Sequence, residues 1–137
     1  LQETETNYET DLFIPIMKKI EETTILGNDF KGTFSSADIH ISPDGKFLYA
    51  SNRGEANTIT IFKIIKNGKL QMKGQTSTLG KGPRNFAIDP TGNFLLVAHQ
   101  FTNDVVIFKR NKTTGMLLNT GKKITLCSPV CLVFTKN

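Results

Sequence analysis

A segment of this chain repeats itself 47 residues later. Ser36-Ala37-Asp38-Ile39-His40-Ile41-Ser42-Pro43-Asp44-Gly45 fills the same slots as Pro83-Arg84-Asn85-Phe86-Ala87-Ile88-Asp89-Pro90-Thr91-Gly92. The register continues. Phe47-Leu48-Tyr49-Ala50 matches Phe94-Leu95-Leu96-Val97, and Gly68-Lys69-Leu70 matches Gly115-Met116-Leu117. Thr58–Lys63 matches Asp104–Lys109 with a spacing one residue shorter. A third start stands at Pro129-Val130-Cys131-Leu132-Val133-Phe134. A fixed period of this size means stacked copies of one supersecondary unit, each burying its apolar face on its neighbour.

Each unit reads as four short strands. The expected first strands are Asp38–Ser42 and Asn85–Asp89, and the second are Phe47–Ser51 and Phe94–His99. The third are Thr58–Ile64 and Asp104–Arg110, and the fourth Leu70–Thr78 and Leu117–Thr125. Val, Ile, Thr and Phe dominate these runs, as a pleated, half-buried surface favours. Pro-Asp-Gly, Pro-Thr-Gly, Lys-Asn-Gly and Thr-Thr-Gly punctuate the joints with the fixed φ of proline and the positive φ of glycine. Four-stranded units at this period predict an all-β fold of β-propeller blades. A β-sandwich is the alternative, but it needs no repeat this regular.

Apolar ends nine apart at Met17–Leu26, Leu70–Leu79 and Leu117–Leu126 read as one outer strand in three successive units. The expected partition is an N-terminal segment 1–30 with the outer strand of a preceding blade, blades at 31–80 and 81–126, and a ring-closing strand in 127–137. Two whole blades would leave broad apolar faces in water. A propeller needs roughly four to eight blades to close. The expectation is therefore about two and a half blades from the C-terminal third of a longer propeller, completed by further blades or by self-association.

Charge divides unevenly along the chain. Residues 1–30 hold seven acidic residues against two lysines, while residues 31–137 carry a net charge of +10. A basic body attracts phosphorylated or carboxylated small molecules, although a solvated lysine-rich rim gives the same count. Nucleic acid is not expected, because the lysines form no cluster interleaved with aromatics. No apolar run approaches the ~20 residues a membrane helix needs. No basic-then-apolar leader opens the chain, and the expected compartment is the cytoplasm. Cys127 and Cys131 are the only cysteines, with no second His or Cys pair beside them; neither a metal nor a cofactor is expected, and Cys131 reads as a small core residue.

The run Ser36 to Gly54, with its Ser-Asn-Arg-Gly ending, and the run Gly82-Pro83-Arg84-Asn85-Phe86-Ala87-Ile88-Asp89-Pro90-Thr91-Gly92 resemble the last two blades of the lactonase-type seven-bladed β-propellers. That family includes propeller-type 6-phosphogluconolactonases and 3-carboxymuconate lactonising enzymes. The Ser-Pro-Val-Cys ending fits as well, so the resemblance covers about residues 30–137. It implies hydrolysis of an anionic sugar lactone. The alternatives are a non-catalytic binding scaffold and a muconate-type cycloisomerase. The family often has Glu where this chain has Asp38, and its cluster also draws on earlier blades.

In such a ring, Asp38 and Arg84 enter first strands of neighbouring blades, and Arg53 leaves a second strand of Asp38's own blade. All three are expected at one mouth of the channel. The other repeat bears Asn85, Ala37 and Gln100 at the equivalent positions, an asymmetry that a single site requires. Asp38 is the candidate base or orienter, and Arg53 and Arg84 the candidate oxyanion or substrate-anion binders. His40 and Asn85 are expected to contact substrate. The structural alternatives are a turn cap for Asp38, an inter-blade clamp for Arg84, and a packed blade histidine for His40. Asp44 and Asp89 are read as turn residues.

Overall fold

The computed structural model describes residues 18–135. Its strands form two antiparallel four-stranded sheets, each a simple meander. The first contains β1 (Phe34–Ile41), β2 (Phe47–Gly54), β3 (Thr58–Ile64) and β4 (Leu70–Ser77). The second contains β5 (Pro83–Ile88), β6 (Phe94–His99), β7 (Asp104–Arg110) and β8 (Leu117–Thr125). A 3-10 turn at Lys66–Gly68 joins β3 to β4. No helix among the described residues is long and apolar enough to cross a membrane.

The sheets pack face to face on alternate residues. Phe47, Tyr49, Ile59 and Ile61 of the first meet Phe86, Leu95, Val97, Val106 and Phe108 of the second. Burying each large apolar side chain contributes about 1.5–3 kcal/mol. The opposite face of β1 stays open, with Ile39 and Ile41 exposed, and so do Phe94 and Ile124 on the second sheet. These are the uncovered apolar surfaces that the repeat predicts.

A polar clamp also locks the sheets. Arg110 ends β7 with its side chain fully buried. Its Nη2 donates to both carboxylate oxygens of Asp44, at 3.0 and 2.9 Å. Its Nη1 donates to Gly92 O and its Nε to the Tyr49 hydroxyl, and that hydroxyl donates in turn to Gly115 O at 2.7 Å. A Cβ on Gly115, whose φ is +78°, would lie 2.4 Å from the Phe47 ring, so this close approach requires glycine. Burial alone would raise the Asp44 pKa; hydrogen bonds from Ser42, Arg110 and Lys46 N outweigh it and hold the carboxyl at about 2.

Two expected strands stand unpaired here, and one expectation, for Cys131, needs correction. Lys18–Leu26 forms no strand, and Met17 lies outside the described residues. Instead Ile25 O accepts from Asn52 Nδ2, Gln75 Nε2 and the Thr60 hydroxyl. Pro129–Phe134 is likewise unpaired, although Leu132 N donates to Asn85 Oδ1 at 2.7 Å. Neither segment has a matching strand to pair with among the described residues. Cys131 is exposed, as is Cys127, because no sheet covers this unpaired run.

Candidate functional site

The first strand of each sheet begins earlier than its apolar alternation suggests, and each carries a bulge at the same repeat position. Between β1 and β2 the register runs Ser36↔Asn52 and then Ile39↔Ala50, so Ala37 and Asp38 share one partner position. Between β5 and β6 it runs Pro83↔His99 and then Asn85↔Ala98, which leaves Arg84 as the extra residue. A bulge bends its strand and re-aims a side chain. Here the paired bulges bring Asp38, Arg84 and Asn85 to one side. Arg53, near the end of β2, reaches the same place. Ser36, Ala37, Asp38, Arg53, Arg84, Asn85 and Val130 line one open pocket of about 250 Å³.

Asp38 is the best-connected of these residues. Its Oδ1 accepts from Ile39 N at 2.9 Å. Its Oδ2 accepts from Asn85 Nδ2 at 2.6 Å, Phe86 N at 3.1 Å and His40 Nε2 at 3.0 Å. Its own N–H donates to Ser51 Oγ. A carboxylate offers about four lone-pair sites, two on each oxygen; three donors crowd Oδ2, while Oδ1 takes one and keeps a site open. Asn85 is fixed at both ends. Its Oδ1 accepts from Leu132 N, which leaves Nδ2 to face Asp38. Asp38 thus pins one blade to the next. Among the described residues it makes no hydrogen bond or ion pair with either arginine.

The arginines keep their donors. Arg84 is exposed, and Arg53 Nε is buried with no hydrogen-bond partner. Two guanidinium forks with spare N–H groups, on a pocket wall whose one carboxylate bonds to neither of them, suit a planar or tetrahedral anion. His40 does not line the pocket. It stands behind Asp38, with its side chain 45% exposed and its ring edge-on to Phe86 at 4.9 Å. It is therefore neither a sealed blade histidine nor a pocket wall.

A larger cavity of about 390 Å³ lies between Lys109–Asn111 and Met116–Leu118, but it is apolar and the Arg110 fork beside it is already engaged. Among the described residues no group of three or more His, Cys, Asp or Glu is placed to hold a metal ion.

The sequence model of the family described as "Lactonase, 7-bladed beta-propeller" matches residues 6–134. A 6-phosphogluconolactonase of Formosa agariphila is 62% identical over 87 residues, which cover 62% of this chain and 25% of that protein. The Bacillus subtilis 6-phosphogluconolactonase is 33% identical over 118 residues, covering 85% of this chain and 34% of that protein. The solved periplasmic gluconolactonase of Pseudomonas aeruginosa superposes with a TM-score of 0.78 at 32% identity, over 81% of this chain and 31% of that one. The chain thus spans a quarter to a third of the length of these relatives.

Proposed function

We propose, for a chain that belongs to the lactonase family of seven-bladed β-propellers, that the intact protein hydrolyses an anionic sugar lactone such as 6-phosphogluconolactone. The observation that carries this reading is the pocket at the paired bulges. There the Arg53 and Arg84 guanidiniums face one space with unspent donors, while the neighbouring carboxylate of Asp38 takes its hydrogen bonds from other groups. Hydrolysis puts negative charge on the ring carbonyl oxygen. Donors fixed in advance around that position lower the barrier. One arginine receives the developing oxyanion, and the other holds the phosphate or carboxylate of the substrate. The names of the relatives support the same substrate class.

Residues 31–80 and 81–126 are two adjacent blades of the ring in this proposal. Further catalytic groups come from blades beyond this segment. The isolated 137 residues should therefore show no turnover. The reaction is read as metal-independent and cytoplasmic.

The test is hydrolysis of 6-phosphogluconolactone by the intact protein, followed by Arg84→Ala. Removing one oxyanion or anion donor should lower kcat/KM by about 100-fold. An intact protein that turns over no anionic lactone would overturn the reading. Unchanged kinetics in Arg84→Ala would remove Arg84 from the site.

A further inference from the structure

The two arginines that line the pocket are held in opposite ways. Arg53 sits in regular ladder, paired with Ser35, and the pairing runs on to Phe34↔Gly54. Beyond it Glu55 N donates to Thr33 O at 2.9 Å, which closes the end of β2. The Arg53 side chain is half-buried, and its Nε is buried with no hydrogen-bond partner among the described residues. A buried donor left unmet is destabilising, so one that persists on a pocket wall marks a place for a ligand atom to complete it. Arg84 is the extra residue of a bulge. Pro83 pairs with His99 and Asn85 with Ala98, so Arg84 stands opposite no residue of β6, and its side chain is exposed.

These settings suit two different anions. An oxyanion exists only during the reaction, and the donors that stabilise it act best when fixed beforehand and shielded from water. A phosphate monoester is charged throughout, at about −1.5 to −2 near pH 7. An exposed guanidinium can take it bidentate while the outer oxygens stay hydrated. Asp38 lines the same wall, but its Oδ2 is turned to Asn85, Phe86 N and His40. It subtracts one charge from the pocket without pairing either arginine.

We propose that Arg53 is the oxyanion donor of the lactone hydrolysis assigned above, and that Arg84 selects the substrate by holding its phosphate, so that the site prefers a phosphorylated sugar lactone to the same lactone without phosphate; the inference rests on that assignment. As water adds to the ring carbonyl carbon, the carbonyl electron pair moves onto oxygen, and the Arg53 fork receives it. The oxyanion collapses and the bond to the ring oxygen breaks. That oxygen takes up the proton that the water gave up. One water is consumed and one hydroxy acid is formed. Arg84 touches no bond that changes. It fixes the remote phosphate on one blade and so orients the carbonyl towards Arg53 on the other.

The experiment measures kcat and KM of the intact protein with 6-phosphogluconolactone and with gluconolactone. The variants are Arg53→Ala, Arg53→Lys, Arg84→Ala and Arg84→Lys, each checked for folding by thermal denaturation. Arg84→Ala should raise KM for 6-phosphogluconolactone about 100-fold and abolish the preference for the phosphorylated substrate. Arg84→Lys should keep most of that preference, because an ammonium still binds phosphate as a point charge. Arg53→Ala should lower kcat about 100-fold with both substrates and leave their ratio in place. Arg53→Lys should not restore it, because the planar fork is gone. Merely structural arginines would not split in this way between KM and kcat, or between the two substrates. The assignment is overturned if the unmodified protein does not prefer the phosphorylated lactone, if folded Arg84→Ala keeps the preference, or if the Arg53 variants change it. Each of these results leaves lactone hydrolysis standing. An unmodified protein that hydrolyses neither lactone sinks that reading instead.

Discussion

The two sheets each carry one histidine bonded to one aspartate, and the pairs are built for opposite purposes. His99 Nδ1 and Asp104 Oδ1 are 2.8 Å apart, with the His99 side chain fully buried and Asp104 nearly so. The Thr102 hydroxyl also donates to Asp104. Gly80 lies flat on the His99 ring, where a Cβ would come within 2.5 Å. Burial pushes the His99 pKa below its ordinary value, and Asp104 offsets only part of that shift. The other pair, His40 and Asp38, sits at 3.0 Å with the imidazole 45% exposed and one nitrogen bare. The chemistry is the same in both; packing decides whether a histidine tightens a blade or meets water.

The sharpest way to break the comparison is to swap outcomes between the pairs. His40→Ala should change stability little, because its side chain is 45% exposed, whereas His99→Gln should destabilise the sealed pair. Equal losses of stability in the two variants would erase the distinction. On the stability side, the largest effect is expected at the clamp rather than at either pair. Arg110→Met strips Asp44, Tyr49 and Gly92 of a buried partner and should destabilise by about 3 kcal/mol, read from denaturant midpoints. His99→Gln should cost about 2 kcal/mol by the same measurement, since it removes the shortest contact of the buried Asp104.

The smallest effect is that of pH. Because the folded state holds His99 neutral below its ordinary value of 6.5, the unfolded chain binds the proton first. Stability should then decline as pH falls through 6.5, by at most about one proton's slope. Asp44 behaves in the usual carboxylate sense. Its stabilisation is present above pH 3.8 and is lost as pH falls from there to about 2. His99→Gln should flatten the first decline and leave the second. A profile unchanged by His99→Gln would show that the sealed pair is not what titrates near neutrality.

Much of the fold was legible because its rules are local. Pro-Asp-Gly and Pro-Thr-Gly mark the hairpin ends, and Gly45 and Gly92 do adopt positive φ, at 68° and 71°. Strand alternation located β2, β3, β6 and β7 to within three residues. The bulges were not legible. Nothing in Ala37 or Arg84 announces an extra residue; that depends on which partner position each strand finds. The reading nevertheless set Asp38, Arg53 and Arg84 at one mouth, because strand entries and exits of neighbouring blades open on the same end, and these three line one pocket.

The same comparison, carried to the strand ends, would have set Arg110 against Ile64 and marked it as unusual. Read singly, Lys109-Arg110 passes for a solvated pair, since Asp44 lies 66 residues away. Lys18–Leu26 and Pro129–Phe134 stay unpaired for the opposite reason. Their residues suit a strand, but a strand exists only when a neighbour supplies its hydrogen bonds.

By itself the sequence determined the repeating four-stranded unit, the positions of its turns and the residues in which the two copies differ. Those properties follow from side-chain alternation and backbone dihedrals within a few residues. Only the tertiary structure decided which polar groups are spent and which remain free. Asp38 takes donors from two blades, Arg110 vanishes beneath a turn of the other sheet, and His40 keeps a bare nitrogen. Such satisfaction depends on through-space neighbours up to 66 positions apart along the chain, and no local pattern encodes them.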